Sequence, residues 1–375
     1  MAGLYVHVPF CARACPYCDF DFRVGRSPAT AQFIAGLERE ALARMADGTW
    51  PEEQVWPTVY LGGGTPSLLG ADGLAALGSW ISRRCPGAGA DEYTVEVNPE
   101  HATDEVAAAV REIGGTRVSL GVQTLDPDGL AALGRVHTAA SGRAAIATMR
   151  AAGLGVSADL IVGWPGQTQA GLAEDVAALV GEGAQHVSVY ALTVEAGTPW
   201  ETLVRRGRRR LPDPDHQADL LLAAEAALTA AGLPHYEVAS YGPHARHNLG
   251  YWTWRDYVGL GPSAHSATYA ADGSVRRRGN RRGVDVWLAD PSAGESEQLD
   301  AHAAAVEGLW TGLRFLPGID LAAYLRRFPA VDAGWIAART RRQRDRGNLE
   351  LGADVLRVAP GRWLWHDAIA ADLLA

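Results

Sequence analysis

Lysine is missing altogether: all 34 basic residues are arginine. That excludes Schiff-base chemistry on a lysine and the lysine of a phosphate-binding loop, and is itself read as coding bias. Cysteine is scarce, with four in 375 residues, too few for a disulfide scaffold. No charged, apolar and small-residue succession at the N-terminus reads as a signal peptide, so a reducing, cytoplasmic compartment is expected. No apolar run approaches the roughly 20 residues that span a bilayer. Positive charge is in deficit as well: the net charge of -9 disfavours a polyanion, and no nucleic-acid partner is expected. The basic runs Arg205 to Arg210 and Arg339 to Arg346 are read as solvated segments.

What is present is enough apolar residue, 47% of the chain, for one barrel-sized core and a smaller satellite. Six β-type runs recur with helical stretches between them: at Leu4 (LYVHV), Thr58 (TVYLG), Tyr93 (YTVEV), Arg117 (RVSLGV), Val156 (VSADLIV) and His186 (HVSVYAL). Several intervening segments end at glycine, as at Gly114-Gly115 and Gly153. Alternating βα units imply a parallel sheet with helices outside. The fold class is therefore α/β, a partial (β/α)6 barrel, with a doubly wound sheet as the alternative. Residues 1–211 form the barrel in this reading, and 212–283 a connecting helix followed by a loop rich in histidine and aromatics. Residues 284–375 form a small winged-helix-like α+β domain with helical segments followed by two short strands, LELG and the stretch from DVLRV to RWLWH.

The unusual residues follow strands. The stretch YVHVPFCARACPYCDF places Cys11, Cys15 and Cys18 directly after the first strand. A disulfide cannot use three neighbouring thiols evenly, whereas a [4Fe-4S] cluster can take three thiolates and keep one iron open. S-adenosylmethionine is the cofactor that accepts an electron at such an open iron. Cys85, in a loop before a strand, is read as a spare thiol. GGGTP (Gly62 to Pro66) follows the second strand and lets the backbone approach a ligand closely. Glu96 and Asp159 interrupt otherwise apolar strands, so each needs a partner; Gln123 and Arg135 stand as polar neighbours. His7 is read as a hydrogen-bonded core histidine.

With these motifs in order, followed by VEVNP, SLGVQT and DLIVGWPGQT, the chain resembles a radical S-adenosylmethionine family. That family contains oxygen-independent coproporphyrinogen III dehydrogenase and the HemW-type heme chaperones. The resemblance implies cluster ligation by Cys11, Cys15 and Cys18. It also implies S-adenosylmethionine contacts from Tyr5, Tyr17, Gly63, Gly64, Thr65, Glu96, Gln123, Arg135 and Asp159. The true dehydrogenases continue the third cysteine with Gly-Cys and carry a longer N-terminal extension. This chain reads Cys18-Asp19-Phe20 and starts four residues before Tyr5, and dehydrogenase activity is not expected.

HNLGYW, His247 to Trp252, matches the heme-binding pattern of the chaperones, which implies heme contacts from His247, Asn248, Tyr251 and Trp252. His247 would then be an iron ligand, with His244 and His265 as substitutes, unless the His-Asn pair only braces the loop. By this resemblance the protein binds heme and delivers it to apo-hemoproteins such as respiratory enzymes. It would draw on an electron donor and work at the inner face of the cytoplasmic membrane; a homodimer is left open. The alternatives are the dehydrogenase, a radical methyltransferase and a heme-degrading relative. Asp21 stands where the family often has asparagine.

Overall fold

The computed structural model describes residues 1–50, 55–210 and 213–375. Six strands run parallel in chain order: β1 (Ala2–Val8), β2 (Thr58–Gly63), β3 (Glu92–Val97), β4 (Arg117–Gln123), β5 (Gly155–Val162) and β6 (His186–Ala191). Helices lie between them, as a parallel ladder requires. The threonines that precede three of these helices cap them: Thr103, Thr138 and Thr168 accept bonds from the backbone N–H groups of Val106, Ser141 and Gly171. Gly114 and Gly153 follow two of the helices with φ of 90° and 77°, the left-handed turn that glycine adopts without strain.

The sheet continues past both ends of this set. At β6 it gains the short antiparallel strands β7 (His235–Glu237) and β8 (Ser240–Tyr241). On the other side β9 (Asp256–Leu260) pairs parallel with β1 and forms a seventh parallel strand inside the segment read as a loop. An antiparallel ladder of β10 (His265–Tyr269), β11 (Val275–Asn280) and β12 (Gly294–Leu299) completes twelve strands. Its sequences, HSATY, VRRRGN and GESEQL, lack the apolar alternation of a buried strand, because β12 is exposed at nearly every position.

The ladder crosses the boundary expected at 284. Helix Val284–Ala289 packs on helix Thr30–Ala46, and Trp287 joins the barrel core beside Phe33, ring centroids 5.7 Å apart. A second core gathers Leu309, Leu313, Tyr324, Phe328, Ile336 and Leu356 from helix Ala301–Gly312 onward, together with Trp254, Ala267 and Val275 from the segment before it. Its sheet has Val355–Val358 in the centre, with Leu349–Leu351 and Ile319–Asp320 at the edges. RWLWH is not a strand but a 3-10 turn leading into helix His366–Leu374; the turn at Pro360-Gly361 ends the extended chain and the Trp363 indole donates to Glu225. The boundary read at 211/212 touches Leu211 and Pro212, which lie outside the described residues.

A buried ion pair fastens the ladder to the barrel. Glu40 and Arg44, 0% and 1% exposed, sit one helical turn apart at 2.8 Å. Arg44 donates to the Gly259 carbonyl and Ser266 Oγ, and Glu40 accepts from Asn280, the Gly261 N–H and the Trp287 indole. Every charge is thus compensated inside the core.

Candidate functional site

The cysteine loop leaves the C-terminal end of β1 and is closed at its base by a short parallel pairing of Phe10–Cys11 with Arg23–Val24. Phe10 anchors it edge-on against Phe33. From the far side the backbone N–H of Trp200 donates to the Pro16 carbonyl at 2.9 Å, and Gly134 leaves room for the Pro16 ring. Cys11, Cys15 and Cys18 all line one cavity of about 480 Å³ at the C-terminal ends of the parallel strands, where such sheets build their sites. Among the described residues no three His, Cys, Asp or Glu side chains converge as they would on a single metal ion. A cubane sets each thiolate on a different iron, so three separate thiols around one cavity fit its donor set. Burial pushes the Cys11 and Cys18 thiols up to about 11, so iron would have to displace their protons. Cys85 is fully buried in the barrel core, away from this cavity.

The same cavity brings together Tyr17, Gly63, Gly64, Thr65, Glu96, Gln123, Arg135, Asp159 and Asn248. Arg135 stands beside the cluster loop, donating to Asn98 Oδ1 at 2.7 Å and to the Gly121 carbonyl at 2.9 Å, with Nη1 at 3.6 Å from Cys15 Sγ. Thr65 Oγ1 is 3.4 Å from Cys11 Sγ. Glu96 accepts from the Tyr60 hydroxyl at 2.8 Å and from the Gly63 N–H at 3.1 Å. Burial, with Asp159 adding to it, still lifts Glu96 to about 7; burial lifts Asp159 to about 6 against the pull of Arg117. A ligand carrying an ammonium and a sulfonium, as S-adenosylmethionine does, supplies the countercharge these carboxylates call for.

The glycine turn has a packing reason that the sequence reading did not contain. Gly63 has φ 103° and a Cβ there would meet the His7 ring at 2.5 Å, while at Gly64 it would meet the Val8 carbonyl at 2.7 Å. The turn is therefore pressed onto the first strand and its loop as well as facing the cavity. His7 is a buried, hydrogen-bonded histidine, with Tyr5 on Nδ1 and the Asp21 carbonyl on Nε2. The Asp21 carboxylate accepts from Ser263 Oγ and the Gly283 N–H on one oxygen, Oδ2. Sequence reasoning missed Tyr60, Arg117, Ser119, Ser188 and Tyr190, which line the floor. Arg117, Ser119, Gly121 and Gln123 alternate along β4 and share its cavity face, a period-2 signal that was available.

A second cavity, about 680 Å³, lies between the antiparallel ladder and helix Ala301–Gly312. Tyr251 and Trp252 line it, along with Tyr257, Tyr269 and Trp310; Tyr5, expected at S-adenosylmethionine, lines this cavity and not the first, whereas Asn248, expected at heme, lines the first and not this one. Asp19, Phe20 and Gly63 line both cavities, so the end of the cysteine loop is their common wall. His247 lines neither. It is 3% exposed, its Nδ1 is 3.0 Å from Thr58 Oγ1, its Nε2 is 2.8 Å from the Tyr251 hydroxyl, and its backbone N–H donates to Glu92. Both ring nitrogens are thus engaged within the protein, which departs from the expected iron ligand. The reason is local: in helix Arg246–Trp252 the i,i+4 spacing stacks His247 under Tyr251, and Tyr251 takes the cavity-facing place.

Residues 5–179 match the radical SAM superfamily. The heme chaperone HemW of Mycobacterium tuberculosis (strain ATCC 25618 / H37Rv) is 39% identical over 332 residues, covering 85% of this chain and 83% of that protein. HemW of Bacillus subtilis (strain 168) is 33% identical over 270 residues, covering 71% and 70%. Among solved structures, coproporphyrinogen III oxidase (HemN) from Escherichia coli, a radical SAM enzyme, superposes with a TM-score of 0.82 over 99% of this chain and 89% of that one. Its sequence identity is 19%, so the likeness is one of fold. On its motifs, its fold and the identity it shares with these relatives over most of its length, the chain belongs to the HemW heme chaperone family of the radical SAM superfamily.

Proposed function

We propose that the protein binds heme in the second cavity and passes it to apo-hemoproteins such as respiratory enzymes. A [4Fe-4S] cluster on Cys11, Cys15 and Cys18 and S-adenosylmethionine occupy the barrel cavity in this reading. The observation that carries it is the common wall: Asp19 and Phe20, one and two residues past Cys18, face both cavities. A ligand in the larger cavity therefore touches the loop that holds the cluster. Its aromatic lining and size suit a planar, mostly apolar ligand.

The cluster and S-adenosylmethionine supply one-electron chemistry when bound. The chain's own part is to hold them. Thr65 and Arg135 sit beside the cysteines, Glu96 and Asp159 offer carboxylates to a cationic ligand, and Tyr17, Gly63, Gly64, Gln123 and Asn248 shape the cavity. Tyr5, Tyr251 and Trp252 face heme, and His247 orients Tyr251. Among the described residues no helix is long and apolar enough to cross a membrane. In this reading the protein works in the cytoplasm and meets the inner face of the membrane peripherally, with an electron donor and the recipient as partners.

The test is heme titration of the anaerobically reconstituted protein, followed by an apo-hemoprotein acceptor. Trp252 and Trp310 line the cavity, so uptake should quench tryptophan fluorescence, and the acceptor should restore it while gaining its own Soret band. Protein that takes up no heme would rule the reading out.

A further inference from the structure

Strand alternation sorts the ladder's side chains into two sets. His265, Ala267 and Tyr269 of β10 line the large cavity, with Val275 and Arg277 of β11 and Tyr257 of β9. Ser266, Thr268 and Ala270, with Arg276 and Arg278, line a separate pocket on the opposite face, and Arg277 alone of these borders both. His265 is thus aimed into the large cavity by the pleat of the sheet. Its residue is exposed, and no hydrogen bond to its ring is found among the described residues, in contrast to His247. His244 lies elsewhere, packed between Tyr236 and Phe315.

The neighbours of His265 are cut back to make room for it. Its register partner is Gly279, where a Cβ would stand 2.9 Å from the imidazole Cε1. Ala267 lies two residues on along the same face, giving a flat floor beneath the ring. Gly308, Ala304 and Thr311 of helix Ala301–Gly312 line the cavity with further small groups. Guanidinium groups stand at two places: Arg277, held by Glu297 and Glu307, and Arg282, exposed and donating to the Asp19 carbonyl on the common wall. An unengaged imidazole over a floor of glycine and alanine, between aromatic rings and two arginines, matches the needs of an iron tetrapyrrole that carries carboxylates.

We infer that His265, and not His247, is the imidazole that ligates the iron of heme bound in this cavity, with Arg277 and Arg282 facing its propionates. The inference rests on the proposed heme-binding reading. It assigns His247 a positioning role through Tyr251.

The experiment uses the full chain, reconstituted with its cluster, titrated with ferric heme and followed by absorption and electron paramagnetic resonance. Wild type should give a histidine-ligated spectrum. His265→Ala should bind about tenfold more weakly or worse, with a shifted Soret band that free imidazole restores, as loss of one coordinate bond predicts. Iron-sulfur content and thermal stability should not change, because this side chain is exposed. Heme uptake by His265→Ala with unaltered spectrum and affinity would overturn the ligand assignment while leaving heme binding intact. So would a ligand-loss spectrum confined to His247→Ala. Wild type that binds no heme would remove the functional reading on which the assignment stands.

Discussion

The Nε2 of His247 and the hydroxyl of Tyr251 are 2.8 Å apart, and on its other side the same imidazole meets Thr58 Oγ1 at 3.0 Å. A ring with both nitrogens spoken for is a strut. Burial, reinforced by Arg255 and Arg117, pushes its pKa down to about 3, so it stays neutral in the fold.

His247→Ala should therefore destabilise the protein by on the order of 3 kcal/mol, since it leaves Thr58 and Tyr251 unpartnered in a buried place. Urea denaturation measures this. Thr58→Val should cost less, because only one of the two bonds is lost. The pH dependence has a definite sign: the unfolded histidine takes up a proton near 6.5 and the folded one does not until about 3. His247 accordingly subtracts stability as the pH falls through that window, and the gap between wild type and His247→Phe should narrow there. An unchanged denaturation midpoint in His247→Ala would contradict the strut.

Glu96 behaves in the opposite sense. Its pKa is raised by burial to about 7, so below the usual carboxylate value folded and unfolded chains are both protonated and nothing is lost. As the pH rises from about 4.5 towards 7 the unfolded carboxyl gives up its proton while the folded one keeps it, so stability falls, and it levels off above 7 where both states are ionised. Glu96→Gln should gain on wild type between pH 5 and pH 7 in the ligand-free protein, and should weaken S-adenosylmethionine binding. Parallel stability curves for the two proteins would show that the carboxylate is already ionised.

Cluster content separates the cysteines. Anaerobic reconstitution should load about four irons per chain, as three thiolates on one cubane require. Cys15→Ala should lose the cluster absorption, whereas Cys85→Ser, altered inside the core and away from the cavity, should retain it. Full iron loading in Cys15→Ala would be incompatible with the assignment.

Coproporphyrinogen III should survive incubation with the reduced, reconstituted protein and S-adenosylmethionine. Asp19-Phe20 stands where the dehydrogenases place Gly-Cys, and Asp21 here ties the loop to Ser263 and Gly283. Chromatographic detection of protoporphyrinogen IX over several turnovers would move the protein to the enzymatic branch.

The six parallel strands were legible because each is a short apolar run bounded by glycine or polar residues and separated by helical periodicity. The cysteine loop and the glycine turn were legible as residue types with few other uses. β9 was not, since DYVGL sits among tryptophans, glycines and histidines whose composition reads as loop. Neither was the antiparallel ladder: VRRRGN places an arginine on each face, and the strands are held by their neighbours and by Arg44 more than by any pattern of their own. His247 drew attention as a heme ligand because a motif gives residue types without directions. Only the helix shows that Tyr251 intervenes between it and the cavity.

The Glu40–Arg44 pair bears on the rigidity of the larger cavity. Through Gly259, Ser266, Gly261 and Asn280 it bolts the sheet side of that cavity to the first barrel helix at the core. Removing one of two buried, matched charges costs roughly 3–5 kcal/mol, so this wall is not a moving part. The opposite wall, helix Ala301–Gly312, shares its apolar core with Ala267 and Val275 of that same sheet, and the Arg277–Glu307 ion pair and the Trp254 indole bonded to the Gly308 carbonyl join the two. Both walls are thus fastened to one frame, and a large flat ligand meets a recess whose width is set before it arrives.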